Sequence, residues 1–172
     1  MTMLETPRLI LRQWSESDLD TWAEMNADPK VMEFFNNTLT REESISMCKR
    51  LKAFIDEKGY GLWALELKET SSFLGFLGIS DQNFPFSHVP VQEIGWRLKK
   101  SAWGNGYATE AGREVLNQFK ERFEVIYSVT AKNNLRSRAV MERLGLKLRI
   151  EFEFDHPKVS KQTIKRHVVY ST

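Results

Sequence analysis

A chain of 172 residues whose net charge of +2 comes from 25 basic and 23 acidic side chains lacks the marked basic excess of a nucleic-acid binder. Its 41% hydrophobic and 28% charged residues exclude a disordered segment, and the length fits one domain, 1–172, with enough interior to fold without staples. Cys48 is the single cysteine, which excludes an intramolecular disulfide. No apolar stretch approaches a membrane span and no signal-peptide pattern is visible from Met1 to Arg12, so a cytoplasmic protein without a membrane partner is expected.

Arg8 to Arg12, after Pro7, reads as an opening strand. Ser15 and Asp18 resemble a capping box with Asp in place of Glu. The helix behind it carries Leu19, Trp22 and Ala23 on one face and breaks at Asp28-Pro29. Thr40 and Glu43 form a second box, ahead of a helix marked by Ile45, Cys48, Leu51 and Ile55 that Gly59 closes. The period then changes. Residues 60–67 and 73–80 read as a hairpin around the polar turn 68–72, and Val91 to Leu98 as a third strand after a loop rich in Asn, Pro, Phe and His. Gly104 and Gly106 precede a helix with Ala108, Ala111, Val115 and Phe119 on one face. Residues 125–130 form a β-rich strand. Asn133 or Asn134 opens a further helix, with Val140 and Leu144 inward, that stops at Gly145. In the tail, Leu148, Ile150, Phe152 and Phe154 alternate with Arg149, Glu151 and Glu153, which predicts one strand with one buried face; 163–170 returns as another. The expected order is β-α-α-β-β-β-α-β-α-β-β, without linker, repeat or low-complexity stretch.

The chemistry concentrates where the strand Glu93 to Leu98 runs through Trp103 into Gly104-Asn105-Gly106-Tyr107-Ala108-Thr109. A glycine turn that opens a helix presents free N–H groups, the helix dipole favours an anion there, and glycine has no Cβ to hold a phosphate away. Thr109 adds a hydroxyl in the first turn, and the arrangement suits a pyrophosphate. Taken alone, glycines between a strand and a helix are more often those of a simple turn. A Walker loop is excluded because Tyr107 follows Gly106; a dinucleotide fingerprint wants a glycine where Thr109 stands and a βαβ setting; a serine-hydrolase elbow occurs nowhere. The segment Asn134 to Gly145 alone reads as a capped amphipathic helix with a glycine stop.

Together, in this order and spacing, these segments resemble the GNAT superfamily of acyltransferases, and within it the branch of ribosomal-protein N-terminal acetyltransferases. Trp103 to Ala111 is similar to that branch's coenzyme A pyrophosphate loop; Asn134, Ser137, Val140, Leu144 and Gly145 match its later helix, and Glu5 to Arg12 and Asp28-Pro29 match as well. The resemblance implies an α+β fold with a mixed, mostly antiparallel sheet flanked by helices. Acetyl-CoA is the implied cosubstrate and an amine, a protein N-terminus or a small molecule, the acceptor; a homodimer is compatible with it. Two positions depart. Ser101 stands where the superfamily has Gln or Arg, and Met141 where many members carry a tyrosine acid.

The resemblance also implies a pantetheine arm along Glu93 to Leu98, with the two strands after the later helix splaying to admit it. A backbone N–H near Trp96 would bond the thioester oxygen, and Trp96, Leu98, Trp103, the loop 104–109, Asn134 and Ser137 would contact the cofactor. Glu93 through a water is the candidate base, with a solvated strand glutamate as the plain alternative. Ser137 is the candidate acid for the departing thiolate, against a local helix hydrogen bond. Cys48, on a helix face, reads as core. Phe34, Phe35, Asn36, Trp63, Phe84, Phe86 and His88 are acceptor-groove candidates, with Phe35, Trp63 and His88 foremost. His88, His156 and His167 are too scattered for a metal site, and none is expected. The competing readings are a non-catalytic acyl-CoA-binding module, which Met141 favours, and a dinucleotide enzyme, which the third loop position disfavours.

Overall fold

A computed structural model describes residues 4–172. Its nine strands are β1 (Leu4–Glu5), β2 (Leu9–Arg12), β3 (Leu62–Leu67), β4 (Ser72–Gln82), β5 (Val91–Leu98), β6 (Tyr127–Ala131), β7 (Lys147–Leu148), β8 (Phe154–Asp155) and β9 (Arg166–Ser171). The α-helices are α1 (Leu19–Ala27), α2 (Arg41–Lys58), α3 (Tyr107–Phe119) and α4 (Leu135–Arg143). Strand order is β1-β2-β3-β4-β5-β6-β9-β7, with β8 also on β9; every pairing is antiparallel except β5 with β6. The result is the expected α+β GNAT arrangement.

Local signals set the element ends. Thr40 and Glu43 make both bonds of their capping box, and Gly59 takes the left-handed conformation (φ 72°) that ends α2. Asp28 is extended before Pro29 and stops α1. Ser15 and Asp18 cap a short 3-10 turn leading into α1. Asp18 also receives Arg12 Nη1 and Nη2, each at 2.8 Å, while Arg12 Nε donates to Glu66 at 2.6 Å.

Strand alternation divides the sheet between two helix layers. Trp63, Leu77 and Trp96 form one cross-strand row, and Trp63 stacks on Phe119 of α3 at 5.8 Å. The next row is Ala64, Phe76 and Arg97, and it faces α1, where Trp22 meets Phe76 edge-on at 5.6 Å. The main core lies around both rows. A second cluster, Phe84, Val91, Phe154 and Val169, gathers Phe86, Tyr127, Val129 and Phe152 around it.

One expectation fails in shape, and one strand is unforeseen. The hairpin β1–β2 carries no strand signal in its first arm. The tail does not form one alternating strand: Leu148 pairs with Tyr170 and Phe154 with His167, so a six-residue step opposes a three-residue step. The excess is extruded as the 3-10 turn Ile150–Phe152, which leaves Ile150 70% exposed while Phe152 stacks on Phe86 at 5.1 Å. The aromatic cluster, rather than the alternation, decides which tail residues turn inward. Ile164 likewise falls in a 3-10 turn before β9.

Candidate active site

The parallel neighbours β5 and β6 pair at Glu93–Tyr127 only and then part. This parting, and not one between the two C-terminal strands as expected, opens the sheet; the first of those strands, broken into β7 and β8, pairs with the second, β9, instead. Because α3 follows the C-terminal end of β5 and α4 that of β6, both helix starts face the opening. The cleft has a volume of about 1330 Å³. Across it Ser128 Oγ donates to the Ile94 carbonyl at 2.9 Å. Residues of one parity turn their peptide groups to the same strand edge, so Trp96 and Leu98 present theirs to the gap as well. The Leu98 carbonyl accepts from Trp103 Nε1 at 2.9 Å. The Trp96 N–H faces the gap beyond the last β5–β6 pair.

Gly104 and Gly106 are both left-handed, with φ of 77° and 78°, and a Cβ built on Gly104 would enter open space. Asn105 faces inward: its Nδ2 donates to the carbonyls of Ala102 (3.2 Å) and Trp103 (3.1 Å), which folds the turn. At Tyr107, Ala108 and Thr109 the first amides of α3 precede the helical hydrogen-bond ladder and have no intrahelical acceptor. An acid in this first turn, Glu110, is drawn aside. Thr6 Oγ1, the Arg8 N–H and Arg8 Nε donate to it at 2.6, 3.0 and 2.7 Å. Burial alone would raise its carboxyl, but these donors hold it below the usual carboxylate range. Arg8 also lies over the Tyr107 ring at 4.7 Å, beside Gly106. A bare turn, free amides and a nearby cation fit a pyrophosphate.

Glu93 sits where the strands begin to part, with its Oε1 accepting from the Val129 N–H at 3.3 Å. That bond engages a peptide group of β6 beyond the β5–β6 pairing. Enclosure by protein pushes the Glu93 carboxyl up to about 8, against the lowering effect of the Val129 bond. Asn134 caps α4: its Oδ1 accepts from Ser137 N at 3.3 Å, and Nδ2 donates to Thr130 Oγ1 (3.0 Å) and Ser137 Oγ (3.1 Å). Both of its amide hydrogens are thus committed to Thr130 and Ser137, so Asn134 anchors Ser137 while itself lining the cleft. Ser137 Oγ accepts a bond, so its own proton is free to point into the cleft that it lines.

On the acceptor side Phe34 and Phe35 line the cleft, as expected, whereas Trp63 and His88 do not. Trp63 is 2% exposed on the α3 side of the sheet, a packing residue of the opposite face. His88 lies exposed on the loop after β4. Asn36 ties its loop to Lys158 and Ser160, and Phe84 and Phe86 belong to the second aromatic cluster. Cys48 is buried in α2 with its thiol raised to about 11, chiefly by burial. Met141 is buried. Unrecognised in the sequence was Arg97, which lines the cleft two residues beyond Gly95 on the face that Glu93 shares; strand parity was the available signal. Among the described residues no group of three or more His, Cys, Asp or Glu side chains is placed to hold a metal, and no helix is long and apolar enough to cross a membrane.

Comparison with known proteins places the chain in a family. Residues 8–147 match the family described as acetyltransferase (GNAT) domain. The uncharacterized protein YkkB of Bacillus subtilis (strain 168) is 34% identical over 150 residues, covering 84% of this chain and 85% of that protein. A GNAT-family acetyltransferase from Bacillus anthracis superposes with a TM-score of 0.80 at 20% identity, covering 99% of this chain and 98% of its own. RimL, a ribosomal alpha-N-protein acetyltransferase in complex with coenzyme A, gives 0.79 at 15% identity over 99% and 97% of the two chains. The chain belongs to the GNAT acetyltransferase family.

Proposed function

We propose that the protein is an N-acetyltransferase that moves the acetyl group of acetyl-CoA onto a primary amine by direct attack in a ternary complex. The observation that carries this reading is the parting of β5 and β6, with Glu93 at its apex and the bare turn Gly104–Gly106 at its mouth. The amides of Tyr107 to Thr109 and the Arg8 guanidinium would hold the pyrophosphate, and the exposed edge of β5 the pantetheine. When bound, acetyl-CoA supplies the thioester. The Trp96 N–H is placed to stabilise the charge that develops on the carbonyl oxygen. An amine attacks only when neutral, and an α-amine with a pKa of about 7.7–8.0 loses its proton readily. Glu93, with a carboxyl near 8, is matched to that amine and accepts the proton through a water as the N–C bond forms. Ser137 returns a proton to the sulfur as the C–S bond breaks, and solvent in the open cleft replaces it.

Release of free thiol from acetyl-CoA tests the reading against peptides with free N-termini, peptides with only lysine amines, polyamines and amine-bearing antibiotics. Turnover with at least one class, favouring α-amines, is expected. Binding of coenzyme A without thiol release for any acceptor overturns it in favour of a non-catalytic module.

A further inference from the structure

Strand alternation lines up Glu93, Gly95 and Arg97 on the α1 side of β5, along the floor of the cleft. Arg97 is 8% exposed. Its Nη1 donates to Asn26 Oδ1 at 2.7 Å, a neutral acceptor, and its Nε is buried without any partner. Around it stand ring faces: Phe35 at 4.2 Å and Trp22 and Phe76 at 5.5 Å. Burial lowers the guanidinium to about 10 with no carboxylate opposing the shift, and at that value it keeps its charge near neutral pH.

Arg12 shows what this fold does elsewhere with a partly buried arginine: two carboxylates, Asp18 and Glu66, receive it at 2.8 and 2.6 Å. Arg97 is more deeply buried and has neither. Desolvating an unpaired cation costs several kcal/mol, and stacked rings return about 2 or less each. A charge kept in a cleft under those terms is placed to meet an anion. Asn26 engages only Nη1, which leaves the Nε–Nη2 edge of the fork, the edge that takes a carboxylate two-pronged. Between the two charged residues the floor is bare, since a Cβ added at Gly95 meets nothing within 4 Å.

We infer that Arg97 receives a carboxylate of the acceptor, so that the substrate class is amines bearing an acidic group, the amine at Glu93, the carboxylate at Arg97 and the body across Gly95. This rests on the transferase reading of the site and adds its specificity. The Cα atoms of residues four apart on a strand are about 13 Å from each other, so amine and carboxylate stand several bonds apart in the acceptor.

The test pairs ω-amino carboxylates of graded chain length with their carboxamides, which differ in charge and little in shape. Thiol release gives kcat/KM for each, and calorimetry gives binding of each to the protein loaded with coenzyme A. The wild type is expected to favour the carboxylate by roughly 30-fold or more, the loss typical of removing one partner of a buried charge pair. Arg97→Met should bring that ratio close to one, and Arg97→Lys should keep part of it. Because the ratio is internal to each variant, a smaller folded fraction does not disturb it; Arg97→Gln serves if the methionine variant folds poorly. Equal use of both members by the wild type, or an unchanged ratio in Arg97→Met, overturns the inference. Absence of thiol release from every pair counts against the transferase reading alone, and the calorimetric ratio still decides for or against Arg97.

Discussion

Replacing Glu93 by glutamine removes one titrating group from the cleft yet leaves an oxygen to accept the Val129 N–H. Enclosure moves the carboxyl from 4.5 to about 8, so the folded protein holds this proton more tightly than the unfolded chain. Between those values the folded state binds more protons, and stability falls as pH rises; the contribution is whole below the unfolded pKa and gone above the folded one. At about 1.4 kcal/mol per unit the span is worth at most about 5 kcal/mol. Glu93→Gln cannot titrate, so its stability relative to the wild type should climb by up to that amount between acid and mildly alkaline pH, then level off. Urea unfolding of both proteins across this range measures the difference and cancels other groups that titrate there, including His156 and His167, whose pKa values burial lowers. In parallel, kcat/KM of the wild type for an α-amine should rise toward pH 8. In the variant it should fall on the order of a hundredfold and keep only the shallower rise that comes from deprotonation of the amine itself. A stability difference that does not change with pH refutes the burial argument, and an unaltered pH–rate profile refutes the role as base.

Gly104→Asp places a β-carbon on a left-handed residue, at a cost of about 1–2 kcal/mol, and a carboxylate where an anion is to bind. Calorimetric affinity for coenzyme A should be lost, and retained affinity would show that the turn is not the phosphate site. Ser137→Ala should lower kcat by about 10- to 100-fold while coenzyme A affinity stays within about twofold; equal losses in both would assign the hydroxyl to binding. Trp63→Ala should destabilise by about 3–5 kcal/mol in denaturant, whereas His88→Ala should change stability by less than about 0.5 kcal/mol and leave turnover intact. A turnover defect confined to His88→Ala would return that loop to the acceptor groove.

Features encoded by close neighbours along the chain are legible in the amino-acid sequence itself. The Thr40–Glu43 box, the stop at Gly59, the full extent of β5 and the glycine turn each depend on contacts a few residues apart. The hidden features depend on distant partners. Whether Trp63 faces the acceptor or α3 follows from sheet pairing, which single-strand alternation leaves open. The Glu93–Val129 bond spans 36 residues and the Arg97–Asn26 bond 71, so neither environment can be read from local spacing. The tail pattern misleads because three residues leave the ladder to satisfy an aromatic cluster built from five separate segments. The cap that Asn134 makes on α4 is legible from local spacing, whereas its bond to Thr130 across the end of β6 is not.

The grip of Thr6 and Arg8 on Glu110 joins parts of the chain 102 to 104 residues apart. It withdraws a negative charge from the mouth of the helix proposed to receive another. Retention on immobilised coenzyme A therefore doubles as a gauge of whether the Thr6–Arg8 segment grips Glu110: Arg8→Gln, at a half-exposed side chain, should spare the hydrophobic interior yet loosen the protein from such a column.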